Sequence, residues 1–555
     1  MKSWLRVNSF LCIREFHVFV FRAILISGIC EEHCFVLICF NRLNSMRKIL
    51  HFALNRAVIT GLIVILQIGF FMLEIFRWGN YYVVIAFALR LISFGAVVSI
   101  ILRGNNPTVK LAWIVPILMF PLFGGIMYLA FGHVFLPSKL RAGQRRTSEQ
   151  IEKNLKQKEE IIDRLEKDSP GIANQCRYLL DYAGTPVWDS TAGTYYPEGL
   201  PYWEQMLEDL EQAEHFIFLE FFIVGEGKMW NSVLDILERK AKEGVEVRLI
   251  YDDVGSVFVL PKKYYEQIEQ KGIKCIAFNR IIPFMSLILN NRDHRKIVVI
   301  DGRVGYTGGI NMADEYINYT HPHGDHWKDA GIRIEGEAVW NFTVMFLQMW
   351  NMSHYTEEDY GRYHCLFDNK PEADGYVQPY MDSPLDGELI GENVYLNMIG
   401  YAMKYIYIFT PYLITDNEVY TALKLAAKRG VDVRIVTPGV PDKKMIYWLT
   451  QSNYQHLIEA GVKIYQYTPG FLHSKCVLCD GEIATVGTVN FDYRSFYHHF
   501  ECGVFMYQVD ALKELEKDME ETFAVSDCIT LEWCKKKFVK TNVIGPILKL
   551  FSPLL

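Results

Sequence analysis

Along this 555-residue chain the spacing of apolar and polar positions changes character more than once. Near the N-terminus apolar residues run together: VITGLIVILQIGFFML from Val58, YYVVIAFALRLISFGAVVSIIL from Tyr81 and LAWIVPILMFPLFGGIMYLAF from Leu111. A helix needs about 20 apolar residues to cross a bilayer core. The runs therefore predict spans near 58–76, 81–102 and 111–131, inside a transmembrane region covering 46–135. Arg90, in the middle of the second run, must snorkel, pair, or mark a helix lying partly against protein. Beyond the third run the pattern turns amphipathic. Behind Ser148, the residues Ile151, Leu155, Ile162 and Leu165 recur at helical spacing up to Asp168. They predict a charged helix in a juxtamembrane linker, 136–177, read as a solvated spacer.

From about Tyr178 the rhythm becomes that of strand, helix, strand, and it occurs twice. HFIFLEFFI, a helical stretch and GVEVRLIYDD form one copy; YIYIFTPYLI, EVYTALKLAAKRG and VDVRIVTPG form the other. Such units predict parallel strands covered by helices. Each copy then ends in one signature, DHRKIVVIDGRVGYTGGIN in the first and LHSKCVLCDGEIATVGTVN in the second. Both read H-x-K-x-x-x-x-D, and both reach a glycine seven residues past the Asp and an asparagine three later. One such motif arises by chance in about a few per cent of chains of this size. Two copies with matching surroundings do not. The halves divide as 178–370 and 371–525, with a tail over 526–555. Residues 1–45 carry broken apolar patches and no clean cleavage site, and Met46 followed by Arg-Lys looks like a start; the first 45 are read as an extension without function.

Composition narrows the class. Hydrophobic residues at 50% exceed a soluble enzyme's usual share and fit a folded domain with membrane segments. The net charge of −7 argues against a nucleic-acid partner. Lys139, Arg141, Arg145 and Arg146 after the third run place the rest of the chain in the cytoplasm, as part of a multi-pass protein of the cell membrane. Arg47, Lys48 and Arg56 also favour the inside, which three full spans do not allow. Cys476 and Cys479 lie in an apolar strand without a second pair, so they read as reduced, buried thiols. The HPHGDH cluster of His321, His323, Asp325 and His326 reads as a loop at the mouth of a site, because Pro and Gly break regular ligand geometry.

The duplicated motif resembles that of the phospholipase D superfamily. NNPTVKLAWI, LEFFI, TPYLI, HGDHWKDAGIRIEG and NFDYRSFYHHFE resemble its bacterial cardiolipin synthases. The resemblance covers about residues 105–555. It implies an α/β fold of two tandem phospholipase D-like domains, mixed sheets flanked by helices, sharing one active site and preceded by transmembrane helices. It implies an enzyme that moves a phosphatidyl group between phosphatidylglycerol molecules in the membrane, giving cardiolipin and glycerol through a phosphohistidine.

The residues suit that chemistry. Two histidines on opposite sides of a phosphorus can act in turn as nucleophile and as acid, then base. The resemblance makes His294 the nucleophile and His473 its partner; the motifs alone do not choose. Lys296 and Lys475 would neutralise the phosphate oxygens, so neither metal nor cofactor is expected. Asn311 and Asn490 follow glycines that let backbone approach the phosphate and are expected to bind substrate. Family resemblance makes Asp329 and Glu501 the carboxylates that orient the histidines. Asp301 and Asp480 complete the motifs and count among its catalytic residues, although their Asp-Gly turns favour a structural role. Glu220 in the first half stands where Thr410 stands in the second, an asymmetry between half-sites. Other readings remain: a hydrolytic phospholipase D or another phosphatidyltransferase, a nuclease of the same superfamily, and a membrane scaffold with a dead fold, against which both complete motifs argue. Oligomeric state is not legible.

Overall fold

The structure, a computed structural model, describes residues 81–104, 106–120, 138–280, 291–354, 358–365 and 373–537, with short pieces besides. Residues 1–45 and nearly all of the span expected over 58–76 lie outside the described residues. Among the described residues no helix is long and apolar enough to cross a membrane. The helix Tyr81–Ile101 covers the second apolar run and exposes Val84, Phe87, Leu91 and Phe94. The third run is divided. Its helix, Pro107–Met119, contains Pro116, stops before Phe120, and at 13 residues is only about 20 Å long.

The linker differs from the solvated spacer expected of it. Two helices, Ser138–Asn154 and Glu159–Asp168, replace the single one, and Ser148 sits inside the first, its hydroxyl donating to the Gln144 carbonyl at 2.9 Å. Their apolar face is buried in the enzyme. Ile151 and Leu155 join a core with Trp188 and Trp340, while Ile162 and Leu165 join another with Leu179 and Val394. Spacing reported the helical face correctly. It carried no information on what that face would meet.

Two sheets of the same plan come next. The first runs in the spatial order Thr191–Tyr196, Gly331–Gly336, Val304–Gly308, Ile297–Ile300, Phe216–Phe221, Glu246–Asp252, Lys274–Phe278. The second repeats it as Tyr376–Asp382, His499–Tyr507, Ile483–Gly487, Cys476–Cys479, Tyr405–Phe409, Asp432–Pro438, Lys463–Tyr467, and adds Ser526–Cys528 beyond. In each, the strand–helix–strand repeats supply the parallel pairs and the motif strands run antiparallel to them. Every residue of Phe216–Phe221 is buried, as a central strand covered on both faces requires.

Two short ladders lace the halves together. Arg292 and Asp293, just before the first motif histidine, pair with His499 and Phe500 of the second half. Gly470, Phe471 and Leu472, just before the second motif histidine, pair with His326, Trp327 and Lys328 of the first. The backbone N–H of His294 donates to the Phe500 carbonyl at 3.0 Å, and that of His473 to the Lys328 carbonyl at 2.7 Å. The backbone of each histidine is thus held by the opposite half.

Candidate active site

The lacing decides which carboxylate meets which imidazole. Glu501 follows Phe500 and receives Nδ1 of His294, with both carboxylate oxygens at 2.9 Å. Asp329 follows Lys328 and receives Nδ1 of His473 at 2.6 Å. All four side chains are buried. A carboxylate at Nδ1 leaves Nε2 as the free nitrogen, which a nucleophile or proton carrier needs. The Glu501 carboxylate also accepts from the Thr488 hydroxyl. The matching position in the first half is Gly309, where a Cβ would come within 2.0 Å of an Asp329 oxygen, so glycine makes room for that carboxylate.

Burial sets the charge states. It lowers His294 to about 3, against the opposing pull of Glu501, and, helped by Lys475, lowers His473 to about 4. Both imidazoles are neutral at pH 7. Burial would raise Asp329 and Glu501, but cationic and imidazole neighbours outweigh it and hold both below the usual carboxylate range. Lys296 falls to about 8 and Lys475 to about 7, again mainly through burial. Lys296 helps lower both His473 and Lys475, so the two motifs share one electrostatic site. The lysines are not mirror images. Lys296 Nζ donates to the His294 carbonyl at 2.5 Å, whereas Lys475 Nζ donates to the His473 carbonyl and also lies 2.8 Å from His473 Nδ1.

The motif aspartates stand apart from this group. Asp301 accepts from the backbone N–H groups of Glu214, His215 and Phe216 at 2.7–2.8 Å, and Asp480 from those of Met403, Lys404 and Tyr405 at 2.7–2.8 Å. Both have positive φ, 51° and 54°, at the far ends of the strands that follow the histidines. On this geometry they fasten a turn to the start of the central strand, the structural role that their Asp-Gly turns favour. A Cβ on Gly308 would lie 2.4 Å from the Ala330 carbonyl and one on Gly487 2.4 Å from the Cys502 carbonyl, so close strand packing by itself requires glycine at both positions.

Of the two asparagines, Asn311 is engaged, accepting from Ile223 N–H at 3.0 Å and donating to the Tyr316 hydroxyl at 2.7 Å. Asn490 keeps its carbonyl oxygen buried and without a partner, which leaves a free acceptor in the wall. Glu220 is explained by a residue that the motif pattern does not single out. Arg295, the x of H-x-K in the first motif, reaches it at 2.6 Å in the fully buried interior; the second half has Ser474 for Arg295, and its strand register puts Phe409, not the expected Thr410, in the place of Glu220. His499 escapes the motif pattern as well. It is 8% exposed, its ring centroid is 5.3 Å from that of His294, and its Nδ1 lies 3.6 Å from a Glu501 oxygen. Its place at the start of the Glu501 strand was the available signal.

Metal-capable clusters among the described residues are His294, His499 and Glu501, and Glu392, Asp416 and Glu418. The first already has a lysine against it, which disfavours a further cation. The HPHGDH segment forms neither. Its His326 meets the Tyr467 hydroxyl at 2.8 Å and its Gly324 bridges to Gly470. Cys476 and Cys479 are free and buried.

Comparison with known proteins agrees with this geometry. Residues 206–350 and 395–523 match the family described as cardiolipin synthase, PLD-like domain, and residues 91–133 match the phospholipase D-nuclease N-terminal family. A cardiolipin synthase of Halalkalibacterium halodurans is 34% identical over 90% of this chain and all of its own length. One from Geobacillus sp. is 36% identical over 82% of this chain and 90% of its own. The crystal structure of phosphatidylserine synthase from Haemophilus influenzae superposes with a TM-score of 0.51 at 15% identity, over 68% of this chain and 99% of that one, a likeness of fold. With two phospholipase D-like domains closed around one pair of histidines, the chain belongs to the cardiolipin synthase family.

Proposed function

We propose that this enzyme makes cardiolipin by transferring the phosphatidyl group of one phosphatidylglycerol to the hydroxyl of another, releasing glycerol. The observation that carries the reading is the crossed pairing of His294 with Glu501 and His473 with Asp329. In the first step Nε2 of His294 attacks phosphorus, the bond to glycerol oxygen breaks, and His473 gives that oxygen its proton. In the second, His473 takes the proton of the incoming hydroxyl, its oxygen attacks phosphorus, and the bond to His294 breaks. His473 must be protonated for the first step, and the arriving phosphodiester, an anion in a desolvated site, raises its proton affinity. Lys296 and Lys475 supply the cations for the phosphate oxygens, and the free oxygen of Asn490 is an acceptor for a headgroup hydroxyl.

The reaction takes place at the cytoplasmic membrane, with the catalytic domains on the cytoplasmic side. Support comes from the three apolar runs, the basic residues after the third, and the apolar side chains exposed on the helix Tyr81–Ile101. Purified protein incubated with phosphatidylglycerol alone should yield cardiolipin and glycerol in equal amounts. Formation of phosphatidic acid and glycerol without cardiolipin would make it a hydrolase.

A further inference from the structure

The strand Glu246–Asp252 ends beside the active site, and the turn after it is unusual for a protein surface. Asp252 is buried; one carboxylate oxygen accepts from the backbone of Val254 and Gly255 at 2.9 and 3.2 Å. The other accepts from the backbone of Asp293, the residue before His294, at 3.1 Å. Gly255 lies so close to the loop after the central strand that a Cβ there would come within 2.1 Å of the Phe222 carbonyl. Ser256 completes the attachment, its hydroxyl accepting from Val224 N–H at 3.0 Å. Phe222 itself packs edge-on against His294, ring centroids 5.1 Å apart. From this rigid base the chain sends three apolar residues into solvent. Val257 is 40% exposed, Val259 46% and Phe258 97%, and among the described residues no large apolar side chain is more exposed than Phe258.

A single exposed apolar side chain needs no explanation, but three in succession on an anchored turn at the rim of a site mark an interaction surface. Its surroundings have the character of a membrane interface. Val259 packs toward Gly225, and beyond Gly225 the exposed Lys228 lies 4.9 Å from the ring of Tyr319, itself 60% exposed. On the other side Pro261 and Lys262 are exposed. Apolar side chains that enter the acyl region, with tyrosine and lysine at headgroup level, form an amphipathic pattern that binds anionic bilayers.

We propose that Val257, Phe258 and Val259 form a wedge that inserts into an anionic glycerophospholipid bilayer at the rim of the active site, with Lys228 and Lys262 on the headgroups. The inference rests on the lipid-transfer reading above and adds how lipid reaches the histidines. A wedge fixed to Phe222 and to the residue before His294 holds the catalytic mouth at headgroup depth, so a lipid enters without leaving the bilayer.

The test uses the full chain with two forms of one substrate. Phe258→Asp should form cardiolipin at least tenfold more slowly than wild type from long-chain phosphatidylglycerol in vesicles. With monomeric dihexanoyl phosphatidylglycerol in detergent it should stay within threefold, and Phe258→Leu should match wild type in both. An equal loss in both arms, or no loss in either, overturns the wedge. Independently, p-benzoylphenylalanine at position 258 should give a lipid adduct on illumination of the reconstituted protein; a protein adduct overturns the assignment. If wild type made no cardiolipin in either arm the transfer reading would fall, while the adduct would still report on the wedge.

Discussion

Glu501 holds both of its oxygens 2.9 Å from Nδ1 of His294, a residue 207 positions earlier in the chain. A buried carboxylate in that position fixes the tautomer and stabilises the imidazolium that forms as Nε2 bonds to phosphorus. Glu501→Gln keeps the shape and removes the charge. It should lower kcat by about 10²–10⁴-fold with a small change in KM, as loss of an orienting carboxylate does elsewhere. Steady-state kinetics with phosphatidylglycerol would check this, and an unchanged kcat would remove the orienting role.

The two histidines are equivalent in the repeat but not in the reaction. A donor with a good leaving group needs no acid. With it, His473→Ala should form the phosphatidyl-enzyme and, lacking its base, retain it, while His294→Ala should form none. Labelled lipid and peptide mapping distinguish these outcomes, and label on His473 would reverse the roles.

On the proposed mechanism Lys296 and Lys475 do the work that metal cations do in other phosphotransferases. Activity should therefore survive chelators, and neither CTP nor ATP should be required. Lipid analysis with and without EDTA checks this; a metal requirement reversed by adding back one divalent ion would contradict it.

The pH dependence has a definite sign. Lys475 and Lys296 are lowered to about 7 and about 8, so kcat/KM should fall as pH rises past these values and the lysines lose the charge proposed to bind phosphate. Stability runs the other way. His294 and His473, lowered to about 3 and about 4, bind fewer protons folded than unfolded across the range up to the usual histidine value of about 6.5. Acidification below about 6.5 therefore favours the unfolded chain, and the depressed Asp329 and Glu501 add to this at lower pH. Denaturation midpoints should drop between pH 7 and pH 5, and less steeply in His294→Asn.

Asp301 should matter to folding and hardly to chemistry. Asp301→Ala leaves three backbone N–H groups without their acceptor, about 1–3 kcal/mol for each that stays buried and dry. The expected result is a lower denaturation midpoint with kcat of the folded fraction within threefold of wild type.

Much of this site was legible because its chemistry is written locally. His294, Lys296, His473 and Lys475 fall within short motifs, and the Asp-Gly turns at Asp301 and Asp480 already suggested their structural role. The duplicated strand–helix–strand pattern fixed the two-domain plan for the same reason. What could not be read depends on contacts distant in sequence. Nothing local to Arg292 says that it will pair with His499, and without that ladder the match of Glu501 to His294 rather than to His473 is undetermined. Arg295 was visible as a difference from Ser474, but its partner Glu220 lies 75 residues away on another strand. The buried face of the linker belongs with these: periodicity reveals a stripe and not its cover.

The exchange of residues between halves has a consequence for synthesis at the ribosome. Domains form in order of emergence, N-terminal first. When residues up to His354 have emerged, the first sheet is complete and carries His294 and Lys296, yet its histidine has no carboxylate. That carboxylate arrives only with the strand His499–Tyr507, close to the end of the chain. A truncated or half-made chain thus lacks the carboxylate with which its histidine pairs, and on the proposed mechanism the gap in each half keeps its chemistry silent until the whole chain has been made.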